Sequence, residues 1–232
     1  MNTSDAYVML MSSLPKPGPL FLAKQPPLSR LKLDLRLRVL SAEEREMLRL
    51  VEDVLHWRRL AMGVSDELVI DRGRAALSRL DNDTLQFLVR DRLEIRTAVA
   101  ALRRRLRGEP APPAGLAWGF GRWTGHIARN WRDPAFALEG VFPWLREADR
   151  LLRQNDSIAL ERLLLGEAYK RLTRLEGGHA FDFEAVVIYV LKWTIVDRWS
   201  AYNGEAATRR FDDLTEAGLA DYAALSFDGD AP

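Results

Sequence analysis

Apolar residues recur at three- and four-residue spacing through most of the chain, and that period predicts helices. Ser41 and Glu44 form an S-x-x-E capping box, followed by Met47, Leu48, Val51, Val54 and Leu55 on one face. This helix is expected to run to about Met62, where Gly63 stops it. A second helix is expected over Asp66–Leu80, weakened by Gly73. Asp81 or Asn82 caps the longest one, Asp83–Arg107, with the stripe Leu88, Ile95, Val99, Leu102 and Leu106. Gly108 and Pro110 end it. Further starts are read near Asp133-Pro134, near Phe142-Pro143 and over Asp156–Leu175, with a last helix at Glu205–Ala217.

The stretch Phe181–Asn203 organises the rest. It opens after Gly177-Gly178 with Asp182 placed to cap, and closes at Asn203-Gly204. Val186, Tyr189, Val190 and Trp193 lie along one face, and Ile188, Leu191, Ile195 and Trp199 along another. A helix apolar on more than one side is buried among other helices. Its unbroken apolar run, Ala185–Leu191, is far shorter than the ~20 residues a bilayer span requires.

Two N-terminal segments resist assignment by period. Tyr7–Leu14 fits a strand or a first helical turn, and the prolines from Pro15 to Pro27 make a helix-hostile connector. Leu31–Val39 alternates strictly between apolar and charged residues, a strand pattern; as a helix it would place leucines on opposing sides. Both readings stay open for each. Gly108 to Gly115 is proline-rich and reads as a semi-rigid linker. Beyond it Trp118, Trp123, Trp131 and Trp144 supply anchors for a small second core.

The expected architecture is all-α, a multi-helix bundle in two lobes. A short irregular or extended, Pro-rich segment at 1–40 packs on the helices. The first lobe covers 41–108, the linker 109–115, and the Trp-rich second lobe 116–225, including the core helix at 182–203. An acidic tail at 226–232 follows.

Charge changes this picture little, since 34 Lys+Arg oppose 33 Asp+Glu. It is unevenly spread: 20 against 15 through Pro110, then 14 against 18. After Arg210 no basic residue appears, while Asp212, Asp213, Glu216, Asp221, Asp228 and Asp230 follow. That polarity suits partners at two ends. The chain holds no cysteine, which excludes disulfides, thiolate-ligated metal and thiol chemistry. No basic-then-apolar leader precedes the first residues, so cytoplasm is the expected compartment.

No constellation for a nucleophile, a metal or an acid–base pair is visible. His56, His126 and His179 lie far apart, and Gly119-Phe120-Gly121 lacks the spacing and lysine of a phosphate loop. Catalytic, cofactor and metal residues are expected to be none. Arg103, Arg104, Arg105 and Arg107, with Trp118 and Trp123 beyond the linker, are the candidates for partner binding. Helix-end arginines also complement the helix dipole, and a nucleic-acid role ranks below a protein partner because no nucleic-acid-reading motif is present.

Two blocks carry a resemblance. One is YVMLMSSLP at Tyr7–Pro15, with Pro27–Ser29 and LSAEEREML at Leu40–Leu48; the other is Phe181–Leu214. Together they resemble a bacterial family encoded among V-type ATPase subunits, itself distantly similar to the C-type subunit of V-type ATP synthases (d-type in eukaryotes). The family's aromatic-rich tyrosine–lysine–arginine–tryptophan pattern is matched by Tyr189, Lys192, Arg198 and Trp199. The resemblance implies a helical, reduced funnel-like rotor part without chemistry or nucleotide of its own. It would couple the central stalk to the membrane ring, peripheral to the inner membrane through those partners. The alternative is a helical adaptor that binds another protein or a nucleic acid through the Arg-rich helix 83–107.

Overall fold

A computed structural model describes residues 3–55, 66–113 and 118–202. The described residues are helical, with no strand among them. The chain forms α1 (Thr3–Ser13), a 3-10 turn (Leu20–Leu22), α2 (Arg30–Leu37), α3 (Ala42–Leu55), α4 (Asp66–Arg79) and α5 (Asp83–Leu106). It continues with α6 (Thr124–Arg129), α7 (Leu145–Arg153), α8 (Ser157–Glu176) and α9, described over 183–202. The stops expected at Gly63 and at Asn203-Gly204, the helix at 205–217 and the tail at 226–232 lie outside the described residues. Among those residues no helix is long and apolar enough to cross a membrane.

Local hydrogen bonds set most helix starts. Ser41 and Glu44 close the capping box, Ser41 N–H to Glu44 Oε2 at 2.7 Å and Glu44 N–H to Ser41 Oγ at 3.2 Å. Asn82, Asp156 and Asp182 accept from the backbone N–H groups of Leu85, Ala159 and Ala185. At the end of α5, Gly108 adopts φ +79°, which lets Glu109 N–H fold back to the Arg104 carbonyl. Gly73 sits inside α4 for a packing reason. A Cβ there would lie 2.4 Å from Leu93 Cδ1, so the glycine lets α4 approach α5 closely.

In the Pro-rich N-terminal segment, expected to be irregular or extended with helix and strand both open for two stretches, the helical reading holds for much of each stretch. Tyr7–Leu14 lies mostly in α1. The alternating stretch becomes α2, capped by Ser29, whose Oγ accepts from Lys32 N–H. A strand needs a neighbour to satisfy its backbone, whereas a helix satisfies its own. Leu33 and Leu37, one turn apart, are then buried together.

Two hydrophobic clusters form, and the linker does not separate them. The first gathers Leu10 and Leu33, the buried face of α3, Leu85–Leu93 of α5, Leu165–Leu172 of α8 and all of α9's buried apolar residues from Val186 onward. The second gathers Ile95–Leu102 of α5, Leu160 and Leu164 of α8, and the tryptophan-rich stretch. Thus α5 and α8 run antiparallel as a spine through both. The core helix belongs with the N-terminal helices, contrary to the sequential division at 109–115. The reason is its breadth: a helix apolar on several sides needs covers from several elements, and α1–α3 supply them.

The helix expected at Asp133-Pro134 is absent. Asp133 Oδ1 accepts from the N–H groups of Ala135 and Ala137 at 2.8 and 2.9 Å, holding Phe136 and Ala137 at φ +54° and +53°. This side-chain-anchored turn places the Phe136 ring fully inside the second cluster. The stripe along α5 also stops short of its expected end, because Leu106 is exposed.

Candidate functional site

The arginine cluster expected to meet partners divides by burial. Arg105 is an internal tie: it donates to the carbonyls of Trp131, Asp133 and Pro134, pairs with Asp149 at 2.9 Å, and stacks over Phe136. Arg104 and Arg107 both hold Glu109, at 2.7 and 2.6 Å, and their hydrogen bonds keep its carboxyl below its ordinary range. Arg103 is exposed. Trp118 is buried in the second cluster, with Arg104 over its ring, while Trp123 is half-buried under Arg122. Arg105 and Trp118 are therefore not on a docking face: α5 ends against the Asp133 turn, whose inward carbonyls need a multi-donor cation. Val186, Tyr189, Val190, Trp193 and Trp199 are all buried in the first cluster.

A polar junction lies where α3, α5 and α9 begin. Asp182 caps α9 through Oδ1 and holds His179 Nδ1 at 2.8 Å through Oδ2. Glu184 accepts from the Asn82 amide at 2.7 Å, and Tyr7 of α1 donates to Glu44. Burial and the surrounding carboxylates push the Tyr7 phenol up, while hydrogen bonds from Tyr7 and Ser41 hold the Glu44 carboxyl down against its desolvation. His179, Asp182 and Glu184 offer ligand atoms within 4.8 Å of one another, a set chemically able to hold a cation. Taken singly, the three histidines give no hint of this set; the H-x-x-D-x-E spacing around His179 is the signal that does. Helix capping and the His179 and Asn82 bonds already account for these groups.

A second junction is apolar. Between α3, α5, α8 and α9 lies a cavity of about 50 Å³, walled by Leu88, Leu172 and Leu191 and edged by Asp91, Arg92 and Arg171. That volume suits a water or two. Asp91 pairs with Arg171 across it, joining α5 to α8, yet burial still raises the Asp91 carboxyl. Burial lowers Arg92 to about 9.

The remaining feature is the outer face of α2. Folding the alternating stretch as a helix buries Leu33 and Leu37 but leaves Leu31 at 70% exposure, Leu35 at 47% and Val39 at 42%. Leu31 and Leu35 stand one turn apart on α2 with Lys32 and Arg36 to one side, and Val39 follows in the turn just beyond the helix end at Leu37. Among the described residues no carboxylate pairs with Lys32, Arg36 or Arg38, whereas Arg30 on the inner side holds both Asp34 and Glu52. Lys32 and Arg36 also line an open groove of about 630 Å³ beside Ser12 and Ser13 at the end of α1. The alternation is plain in the sequence, but which leucines face outward depends on the choice of helix. No family model, curated protein or solved structure matches the chain.

Proposed function

We propose that this chain is a non-catalytic mechanical part of a bacterial V-type ATPase, akin to the C-type rotor component that holds the central stalk on the membrane ring. One observation supports the reading most. The described parts of the two sequence blocks that carry the resemblance, up to Tyr202, pack against each other in the first cluster. Tyr189 donates to the Pro15 carbonyl at 2.9 Å and Trp193 Nε1 to the Leu28 carbonyl at 2.9 Å, fixing the buried helix α9 to the proline connector. Phe21 meets Trp199 edge to face, with Arg162 above the Phe21 ring. A part that transmits torque must resist shear between its helices, and side-chain bonds to carbonyls of a proline-stiffened connector provide that resistance.

In this role the protein sits peripheral to the inner membrane, on its cytoplasmic side, through its partners. The adaptor reading through helix 83–107 is weaker, since Arg105 and Trp118 are engaged inside the fold. The test is affinity isolation of the tagged chain under conditions that preserve the rotary complex. Stalk and ring subunits are expected to co-purify in fixed ratio. Their absence, with the complex intact in the same extract, would refute the proposal.

A further inference from the structure

The geometry points to the outer face of α2 and the groove beside it as the seat of an acidic amphipathic helix of a partner protein. The inference deepens the proposed function and rests on it, in that it names the surface by which a holding part grips its partner.

Leu31 and Leu35 stand at one-turn spacing on α2, the arrangement by which one helix packs along another, and Val39 lies exposed in the turn that follows. Lys32 and Arg36 stand between those leucines and the groove at the end of α1. A partner helix laid there meets leucine with leucine and the two cations with its own carboxylates. Residues 1–40 carry six Lys+Arg against two Asp+Glu, and one of those two, Asp34, is held by Arg30. The face therefore calls for negative charge from outside. A second copy would bring the same cations face to face, which is repulsive. A flat bilayer is a poorer fit, because Lys32 and Arg36 line a concavity and α2 spans only about 12 Å.

The experiment is calorimetric titration of the full chain with a synthetic helix bearing leucine on one face and glutamate on its flanks. The variants are Leu31→Gln/Leu35→Gln and Lys32→Glu/Arg36→Glu. All four positions are outside the core, and urea midpoints matching the parent will establish that each variant folds. Binding is expected to weaken about tenfold in the first variant, and in the second to weaken and to reverse its salt dependence, since salt then screens a repulsion. No binding by the parent, or equal binding by the folded variants, would overturn the inference.

Carbodiimide cross-linking identifies the occupant. Lys32 joined to a glutamate of the synthetic helix supports the proposal. Lys32 joined to the chain's own carboxylates between Asp212 and Asp230, self-association lost in the leucine variant, or binding to phosphatidylserine vesicles without binding to the helix would each overturn it. Affinity isolation separates the two readings. Stalk and ring subunits held equally by parent and leucine variant would sink the docking surface and leave the rotor role. A titration that depends on Leu31 and Leu35, with no rotary partner captured, would sink the rotor role and leave the docking surface.

Discussion

Replacing Trp193 with alanine tests the packing on which the rigidity of the N-terminal unit depends. The indole is only 4% exposed, donates to the Leu28 carbonyl at 2.9 Å and lies 5.7 Å beneath the Arg30 guanidinium. Tryptophan-to-alanine changes in cores cost about 3–5 kcal/mol, including the cavity left behind. Of this the hydrogen bond accounts for about 1 kcal/mol. The cation–π contact contributes about 0.5 kcal/mol, because Arg30 is half exposed and already held by Glu52. Trp193 also borders an open groove with Arg30 and Asp197, so water can enter the vacated space and relieve part of the cavity cost. The lower end, about 3 kcal/mol, is therefore expected.

Urea unfolding followed by far-UV circular dichroism is the assay. With a slope of about 2–3 kcal/mol per molar, the midpoint should fall by about 1 M at unchanged slope. Trp193→Phe keeps most of the packing and loses the donor, so it should cost about 1–2 kcal/mol. An unchanged midpoint for Trp193→Ala would refute the reasoning. Equal losses for alanine and phenylalanine would show that the bond to Leu28, and not packing, carries the site.

Two further predictions follow from other parts of the fold. Arg105→Met leaves the inward carbonyls of the Asp133 turn and the Asp149 carboxylate short of a cation, and should cost about 3 kcal/mol; Arg103→Ala, on the exposed side of the same helix, should stay within about 0.5 kcal/mol. Equal urea midpoints for the two would contradict the division of the cluster. Burial raises the Tyr189 phenol from 10.0 to about 12, so the unfolded chain loses this proton first. Its contribution is complete below pH 10 and declines as pH rises towards 12, by about 1.4 kcal/mol per unit. Tyr189→Phe should lose about 1 kcal/mol at neutral pH with its bond to Pro15, yet show a flatter alkaline limb. A stability difference from the parent that stays constant between pH 9 and 12 would refute that assignment.

Much of the architecture was legible in the sequence wherever the decisive interaction is local. The capping box at Ser41 and Glu44 and the cap at Asp182 join residues three apart, so the sequence displays both partners side by side. Asn82 could be named as a cap candidate, but its second bond, to Glu184, could not, since the partner lies 102 positions away. The all-helical class and the burial of α9 were likewise readable, because a helix apolar on two faces has few other places to go.

What tertiary structure alone decided is the fate of residues whose pattern fits two answers. Leu31–Val39 alternates as a strand does, and only the hydrophobic neighbours of Leu33 and Leu37 make it a helix with Leu31 and Leu35 outside. Arg103, Arg104, Arg105 and Arg107 look alike in one dimension, yet the Asp133 turn, reached only when the chain folds back along α5, draws one of them inside. The two clusters share α5 and α8 because long helices offer different faces to different neighbours along their length, a division that no boundary in the sequence marks. Period and caps act within a turn of helix, while burial is a property of everything else the chain brings near.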